Sequence, residues 1–176
     1  MNIAKQKEIL TLRKKAEELE KKYKEENAVL KDRVTQQYLN AAEMELVEYL
    51  SAEGFKVDEN QTDKSQLVAR LDSIWVSMNR HPHALSVYMS NGENYSITVL
   101  STTVPLDDYY KKNASSQDIE IDRLKKYILE VEDRLDNLDK QEFRYCVNTE
   151  TNGVNGIGYN KKTVLNFKEA MKLLFS

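Results

Sequence analysis

The sequence is poor in the residues that break helices, cross-link chains or bind metals. Among its 176 residues are one cysteine, two prolines, five glycines and two histidines. A single thiol excludes an internal disulfide and a multi-cysteine zinc site. With few glycines and prolines, and with 31% charged against 40% apolar residues, the composition favours long helices with solvated faces over a loop-rich fold.

Long apolar runs are also missing. No run approaches the roughly 18 residues that a membrane-spanning helix needs, and the opening residues MNIAKQK contain no apolar signal core. We therefore expect a cytoplasmic protein without a membrane partner. Lysine outnumbers arginine 19 to 7, and 14 asparagines accompany them. This usage is typical of AT-rich genomes and points to a bacterial or phage accessory protein.

Neither sign of charge dominates the chain as a whole. The formal net charge is −3, which argues against a protein whose whole surface binds nucleic acid. Ten basic and seven acidic residues give residues 1–33 a local charge of +3, whereas four glutamates without a base give residues 34–53 a charge of −4. Five basic and nine acidic residues give residues 115–143 a charge of −4 as well. The N-terminal arm and the acidic segments are therefore of opposite sign.

A heptad pattern runs through the N-terminal segment. Alternating steps of three and four residues meet six apolar or small residues at seven seam positions. We expect a coiled-coil arm over residues 1–53 that forms the interface of a homo-oligomer, in the first place a homodimer. The alternative is an intramolecular antiparallel pair with the acidic helix of residues 115–143. The expected interface residues are Ile9, Leu12, Ala16, Leu19, Tyr23 and Leu30.

The apolar phase of this helix changes after Leu30. The next apolar residues, Val34 and Tyr38, lie one position beyond the strict heptad, a stutter that locally unwinds a supercoil. The helix is predicted to continue to Gly54, which occupies the position of a left-handed C′ residue before the apolar Phe55. A helix of about 50 residues is roughly 75 Å long, so much of it must project or pair with another chain.

A second heptad run predicts a helix over about residues 116–142. Ser115 or Ser116 can cap its N-terminus, and Asp118 and Glu120 lie in the first turn, where the helix dipole favours negative charge. We expect this helix to pack on the chain's own core or on the first helix. Its apolar face consists of Ile121, Leu124, Ile128, Val131, Leu135 and Leu138.

The residues between the two helices include a clear hairpin signal. Strand patterns at Ala84–Met89 and Tyr95–Thr103 flank Asn91-Gly92. A register in which Met89 faces Tyr95 places the large apolar side chains of both strands on one face. We expect at least one helix, in the first place the last one, to cover that face, which consists of Leu85, Val87, Met89, Ile97 and Val99.

The remaining segments complete an expected α+β fold. Leu67, Leu71, Ile74, Trp75 and Met78 follow helical spacing and predict a helix capped by Asp63, with a strand through Ile74, Val76 and Met78 as the alternative.

After the second heptad run, alternation at Phe143, Tyr145 and Val147 predicts a strand, and a further strand ends near Leu165. Asn166 and Glu169 resemble a capping box that opens the last helix. The sequence thus predicts a long N-terminal coiled-coil helix over 1–53 and a small domain over 54–176 with an antiparallel sheet and packed helices.

Both histidines lie in one short segment, which is the first candidate for chemistry. His81 and His83 flank Pro82, and Asp107-Asp108 or Asp72 are the nearest candidates for a third metal ligand. No nucleophile motif accompanies the pair. We interpret the segment as a loop before a strand, and we expect no metal site, no cofactor and no catalytic residue.

Two other features have a structural interpretation. The glycine-rich residues 153–158 do not follow a dinucleotide fingerprint and lack the lysine and hydroxyl residue of a Walker loop. They are better explained as a hairpin loop, beside which Lys161-Lys162 is an ordinary basic surface. Cys146 lies among aromatic neighbours in a predicted strand and is expected to be buried rather than reactive.

The basic arm is the strongest sequence argument for nucleic acid. Its lysines and arginine alternate with glutamates, which reduces the field and is typical of the flanks of a coiled coil. We therefore predict a non-enzymatic protein–protein interaction module, an adaptor, scaffold or inhibitor that associates with itself and with another protein. The alternative is a nucleic-acid-associated factor that uses the glycine-rich hairpin or the arm residues Lys5, Lys7, Arg13, Lys14, Lys15, Lys21, Lys22 and Lys24.

Overall fold

The protein has an α+β fold with a long N-terminal helix and a seven-stranded antiparallel sheet. The computed structural model describes residues 2–59, 66–107, 109–112, 114–153 and 156–175. Of the helices in these ranges, none combines the length and apolar composition that crossing a membrane requires. The elements are α1 (Ile3–Ala52), β1 (Lys56–Glu59), β2 (Gln66–Leu71), β3 (Ile74–His81), β4 (Ala84–Met89), β5 (Asn94–Ser101), α2 (Gln117–Asp136), β6 (Phe143–Gly153), β7 (Gly156–Val164) and α3 (Phe167–Leu174).

The chain divides into two compact units. Unit 1 consists of Met1–Lys31 and Thr103–Glu142, and unit 2 of Asp32–Thr102 and Phe143–Ser176. The boundary predicted between residues 53 and 54 coincides with none of these divisions. The reason is that α1 contributes to both units, and that α2 is inserted between two neighbouring strands of the sheet.

Helix α1 ends as the sequence predicts. Gly54 has a φ of 88°, a left-handed conformation that glycine adopts without a steric penalty. The Phe55 amide donates to the Leu50 carbonyl at 2.9 Å, and the Gly54 amide donates to Ser51 at 3.1 Å. These two bonds form a Schellman motif, which satisfies carbonyls that the helix end would otherwise leave unpaired.

The change of phase in α1 coincides with the change of unit. Up to Leu30 the buried positions follow the predicted seam, whereas beyond residue 31 the buried apolar residues are Leu39, Ala42, Leu46 and Leu50. These four pack in the core of unit 2. The stutter therefore marks the point where one helix passes from a helix partner to a sheet partner.

The sheet of unit 2 is a simple meander in which every strand pairs with its sequence neighbours. Its core face packs in one hydrophobic cluster with the C-terminal part of α1 and with α3, so the predicted covering by the last helix is correct but incomplete. The core face is lined by Ala69, Val76, Met78, Leu85, Val87, Ile97, Tyr145 and Val147.

Polar contacts fix α1 on this core face. The half-buried Arg80 guanidinium donates through Nη2 to Gln36 Oε1 at 2.9 Å and to Asn40 Oδ1 at 3.0 Å. Burial lowers the pKa of Arg80, and the nearby Glu43 carboxylate opposes that shift. On β6, the Tyr145 hydroxyl donates to the Tyr38 carbonyl at 2.9 Å. These bonds set the position of α1 along β3 and β6.

The helix predicted around residues 67–78 is wrong, because this segment forms the hairpin of β2 and β3. Leu71 pairs with Ile74, so Asp72 and Ser73 form the turn, and Asp72 has a φ of 51°, which aspartate tolerates better than most residues. The alternative strand through Val76 and Met78 is the one observed. The predicted cap Asp63 lies outside the described residues.

The predicted hairpin at Asn91-Gly92 exists, but its register differs from the expected one by two residues. Val87 pairs with Tyr95 and Leu85 with Ile97, whereas the prediction paired Met89 with Tyr95. Gly92 has a φ of 88°, and this left-handed residue allows a tighter loop. Because side chains alternate with a period of two, a two-residue shift keeps the same residues on the buried face.

The other two helices begin at the predicted caps. The Ser116 side chain accepts from the Ile119 amide at 3.3 Å at the start of α2. The Asn166 side chain accepts from the Glu169 amide at 2.9 Å, while the Glu169 carboxylate accepts from the Leu165 amide at 3.1 Å. Helix α2 ends at Asp136, and Leu138 belongs to a short 3₁₀ helix, Leu138–Lys140.

Candidate functional site

The residues predicted as an oligomer interface lie in a helix pair formed within one chain. This helix pair consists of α1 up to Lys31 and α2. The seam residues Ile9, Ala16, Tyr23 and Leu30 are buried, and Leu12 and Leu19 are half-buried. On α2, Ile121, Leu124, Ile128 and Val131 are buried, and with the half-buried Leu135 and Leu138 they share one hydrophobic cluster with the α1 seam up to Tyr23.

The two helices of the pair run parallel. Asn2 bonds to Gln117 near the start of both helices, Lys15 pairs with Glu132 further along, and Asn27 bonds to Gln141 beyond the end of α2. The antiparallel alternative is therefore wrong in direction, although the pairing is intramolecular. The segment between β5 and α2 makes the parallel pairing possible, because the chain runs back towards the N-terminal end of α1 before α2 begins.

That connection, residues 103–112, is called the strap below. Leu106 packs against the cluster of the helix pair, and Tyr110 is buried in it. The Tyr110 ring stacks on Tyr127 of α2 with centroids 4.1 Å apart. Near the beginning of the strap, Arg134 Nη1 donates to the Val104 carbonyl at 2.5 Å. The strap thus packs on one side of the seam near Glu20 and Tyr127.

Ion pairs flank the seam and occupy much of the basic arm. Lys5 pairs with Asp118 at 2.6 Å, Arg13 with Glu120 at 2.5 Å, Lys15 with Glu132 at 2.8 Å, and Glu8 with Lys125 at 2.8 Å. Each exposed pair contributes only about 0–1 kcal/mol. Their second effect is electrostatic, because cations that are already paired form a weaker binding surface for phosphate.

One carboxylate of unit 1 is buried, which the sequence did not indicate. Glu20 is 6% exposed, and its oxygens accept from the Tyr110 hydroxyl at 2.6 Å, from Lys111 Nζ at 3.3 Å and from Lys24 Nζ. Burial by itself raises the pKa of Glu20, but these hydrogen bonds outweigh it and lower the pKa to about 2. A carboxylate this acidic is ionised at neutral pH and does not serve there as a proton donor.

The predicted candidates for chemistry are dispersed. His81, Pro82 and His83 are exposed where β3 turns into β4, and Asp72 lies in the β2–β3 turn. Asp107 is in the strap, and Asp108 is outside the described residues. Among the described residues, no group of three or more histidines, cysteines and carboxylates is arranged to hold a metal ion.

The glycine-rich segment and the cysteine occupy the places that the sequence indicates. Gly153 pairs with Gly156 at the closed end of the β6–β7 hairpin, and residues 154–155 between them lie outside the described residues. Cys146 on β6 is buried, at 1% exposure. Lys161 and Lys162 are exposed on β7.

The sheet face opposite the core face carries the other candidate site. This polar face bears Gln66, Arg70, Trp75, Ser77, Asn79, Ser86, Tyr88, Asn94, Ser96, Thr98 and Asn148, which alternate along the strands with the core residues. An antiparallel sheet with one solvated face normally shows such a polar set. A hollow of about 610 Å³ lies on this face, across β2, β3, β4 and the start of β5.

An aromatic and cationic cluster lines this hollow, which is called the Trp75 hollow below. Trp75 is 41% exposed and pairs across the strands with Arg70. In the next row, Ser77 pairs with Tyr88, and Tyr88 pairs with Asn94. Cross-strand neighbours on one face lie about 5 Å apart and diagonal neighbours about 7–8 Å apart, so one small group can contact Arg70, Trp75 and Tyr88 together.

The rim and floor of the hollow are partly fixed by hydrogen bonds. Gln66 Nε2 donates to Ser77 Oγ at 3.0 Å, and the Ser90 amide donates to the Trp75 carbonyl at 3.0 Å. The exposed Arg70 guanidinium has no hydrogen bond or ion pair to any residue that the structure describes. The hollow therefore holds an indole and a guanidinium exposed on a fixed backbone.

Sequence reasoning missed this cluster because it assigned the segment to a helix, which put Trp75 on an apolar helix face with Leu71 and Met78. The available signal was the alternation of Ile74, Val76 and Met78 behind the Asp72-Ser73 turn. In a strand with that alternation, Trp75 and Ser77 lie on the opposite face from the apolar residues.

Comparisons with known proteins add no identification. No family model, no curated protein and no solved structure matches this chain.

Proposed function

We propose that this protein is a non-enzymatic protein–protein interaction module that recognises its partner through the Trp75 hollow. One observation carries the proposal. The exposed Trp75 and the half-buried Tyr88 lie on a fixed sheet face beside Arg70, whose guanidinium has no partner among the described residues. Tryptophan, tyrosine and arginine are the residues most enriched among the energetic centres of protein interfaces. In this proposal, unit 2 supplies the binding face.

The test is partner capture with the full tagged chain and two variants. Trp75→Ala removes the indole, which is 41% exposed, whereas Ile74→Ala removes an apolar side chain of similar exposure, 50%, from the neighbouring position. We expect proteins captured from cells of the native host to be retained by Ile74→Ala and lost with Trp75→Ala. Capture of the same proteins by Trp75→Ala, with an unchanged melting temperature, would contradict the proposal.

Self-association is a separate part of the proposal. The expected seam is buried within one chain, so a dimer that uses it must exchange α2 between two copies. Sedimentation at high micromolar concentration tests this. A dimeric mass supports the exchange of α2 if the double variant Leu12→Glu with Leu19→Glu is monomeric. A monomeric mass of the wild type excludes self-association through α1 at that concentration.

Binding to nucleic acid is the alternative function. The basic arm was the main support for this alternative. Because Lys5, Arg13 and Lys15 are already in ion pairs with carboxylates of α2, the arm is a weaker binding surface for phosphates. Binding to mixed-sequence DNA that falls steeply with salt would favour this alternative, because such a slope reports the release of counterions from phosphates. If the protein is an interaction module, we expect its binding to DNA to be weak and to change little with salt concentration.

A further inference from the structure

The chemistry of the Trp75 hollow also indicates what kind of segment it binds, an inference that rests on the proposed function. Arg70 is the only charged side chain among the described residues that line the hollow. Its guanidinium is exposed and has no partner among the described residues. A planar guanidinium in this state binds a carboxylate or a phosphate with two parallel hydrogen bonds.

The rest of the hollow is suited to an apolar side chain. Trp75 faces Arg70 across the strands, Tyr88 lies on the diagonal, and Val68 occupies the next position along β2. Aromatic rings contribute large contact areas with little loss of conformational entropy. An apolar group seated on Trp75 and Tyr88 therefore lies one strand away from the guanidinium.

We propose that the Trp75 hollow binds a protein segment in which a carboxylate lies next to an aromatic or large aliphatic side chain. The carboxylate pairs with Arg70, and the apolar side chain packs on Trp75 and Tyr88. The partner is thus an acidic segment with an apolar anchor.

Charges around the hollow favour such a segment over a nucleic acid. Strong binding of a polyphosphate depends on several cations along its path, and the described lining provides one. On the neighbouring strand β1, Lys56 lies opposite Arg70 and Asp58 lies opposite Val68, and the Lys56 and Asp58 side chains form an ion pair. Asp58 offsets the cation nearest to Arg70, so the hollow offers one guanidinium for a single carboxylate and not a row of cations for a chain of phosphates.

The experiment selects ligands from a random-peptide display library on the full chain and on three variants. Trp75→Gln removes the aromatic surface, Arg70→Glu reverses the charge, and Arg33→Glu makes the same reversal at an exposed arginine of α1 as the matched control. Selected peptides are then synthesised, and their affinities are measured by calorimetry for each variant whose melting temperature equals that of the wild type.

The wild type is expected to enrich peptides with aspartate or glutamate beside an apolar residue. These peptides should lose at least about tenfold in affinity for Trp75→Gln and for Arg70→Glu, and bind Arg33→Glu as they bind the wild type. Selection on Arg70→Glu should enrich lysine or arginine in place of the acidic residue. If either substitution at the hollow prevents folding, Tyr88→Ala takes its place with the same expected loss.

The possible failures are distinguishable. The inference is overturned if the enriched peptides lack acidic residues, or if acidic peptides bind Arg70→Glu as tightly as they bind the wild type. In either case, partner capture that depends on Trp75 still supports the proposed function. An equal loss with Arg33→Glu overturns it by showing a non-specific charge effect. Oligothymidylate that binds at physiological salt and is lost with Arg70→Glu overturns it in favour of a nucleic acid.

Discussion

Unit 1 and unit 2 use their surfaces in different ways. In unit 1 the seams of two helices are buried against each other, the strap covers one side, and ion pairs flank the contact. In unit 2 the sheet buries one face under α1 and α3 and exposes the polar face with Trp75. Because the exposed Trp75 and Arg70 lie side by side on that polar face, we propose that recognition belongs to unit 2.

The largest effect is expected from a charge on the core face of unit 2. Val87→Asp puts an unpaired carboxylate at a position with 0% exposure and should lower the free energy of unfolding by about 3–5 kcal/mol. Its control is Ser86→Asp, one residue away on the polar face, which should cost less than about 1 kcal/mol. Urea unfolding measures both. Equal losses would show that the two faces of β4 are misassigned.

A smaller effect is expected from a cavity in the helix pair. Leu124 on α2 is 0% exposed and Leu129 is 66% exposed. Leu124→Ala should cost about 2–5 kcal/mol, whereas Leu129→Ala should change the stability by less than about 0.5 kcal/mol. Hydrogen exchange read along the chain should show the loss of protection concentrated in unit 1. Loss spread evenly over both units would indicate that they unfold as one.

The buried carboxylate gives unit 1 a dependence on pH. Glu20→Gln should cost about 1–3 kcal/mol at neutral pH, because it removes a charge-assisted hydrogen-bond acceptor. The folded-state pKa of Glu20 is lowered from 4.5 to about 2, so its contribution is complete above about pH 4.5 and is lost as the pH falls towards 2. The stability difference between wild type and variant should therefore narrow in that range.

Glu18→Gln is the control for this titration, since Glu18 is 68% exposed in its side chain and lies 3.9 Å from Lys14. Urea unfolding at successive pH values should show almost no difference between Glu18→Gln and the wild type. A Glu20→Gln difference that stays constant from neutral pH down to pH 2 would refute the assigned pKa.

The smallest effect is expected at the β4–β5 turn. Gly92 has a φ of 88° and open space where a Cβ would lie, so Gly92→Ala tests backbone strain alone. It should cost about 1 kcal/mol, whereas Ser90→Ala in the same loop should be nearly neutral. Thermal unfolding measures both. A neutral Gly92→Ala would mean that the tight loop does not set the strand register.

Local sequence determined several features of this protein. The end of α1 at Gly54, the cap of α2 at Ser116, one of two predicted candidates, and the cap of α3 at Asn166 each depend on bonds within a few residues, and all three are observed. The Glu169 carboxylate bonds to the Leu165 amide and not to the Asn166 amide that a capping box would use. The buried face of the Asn91-Gly92 hairpin was also predictable, because side-chain alternation needs only the strand itself.

Tertiary structure decided the rest. The heptads on α1 and α2 defined apolar faces but not their partners, and parallel pairing within one chain required the return of the strap. Around Trp75 the apolar spacing fits helix and strand alike, and only pairing of β3 with β2 and β4 selects the strand. That choice moved Trp75 from the apolar face of a predicted helix to the exposed centre of the candidate site. Hydrogen bonds between distant segments decide such choices, and a periodic pattern in one segment does not contain them.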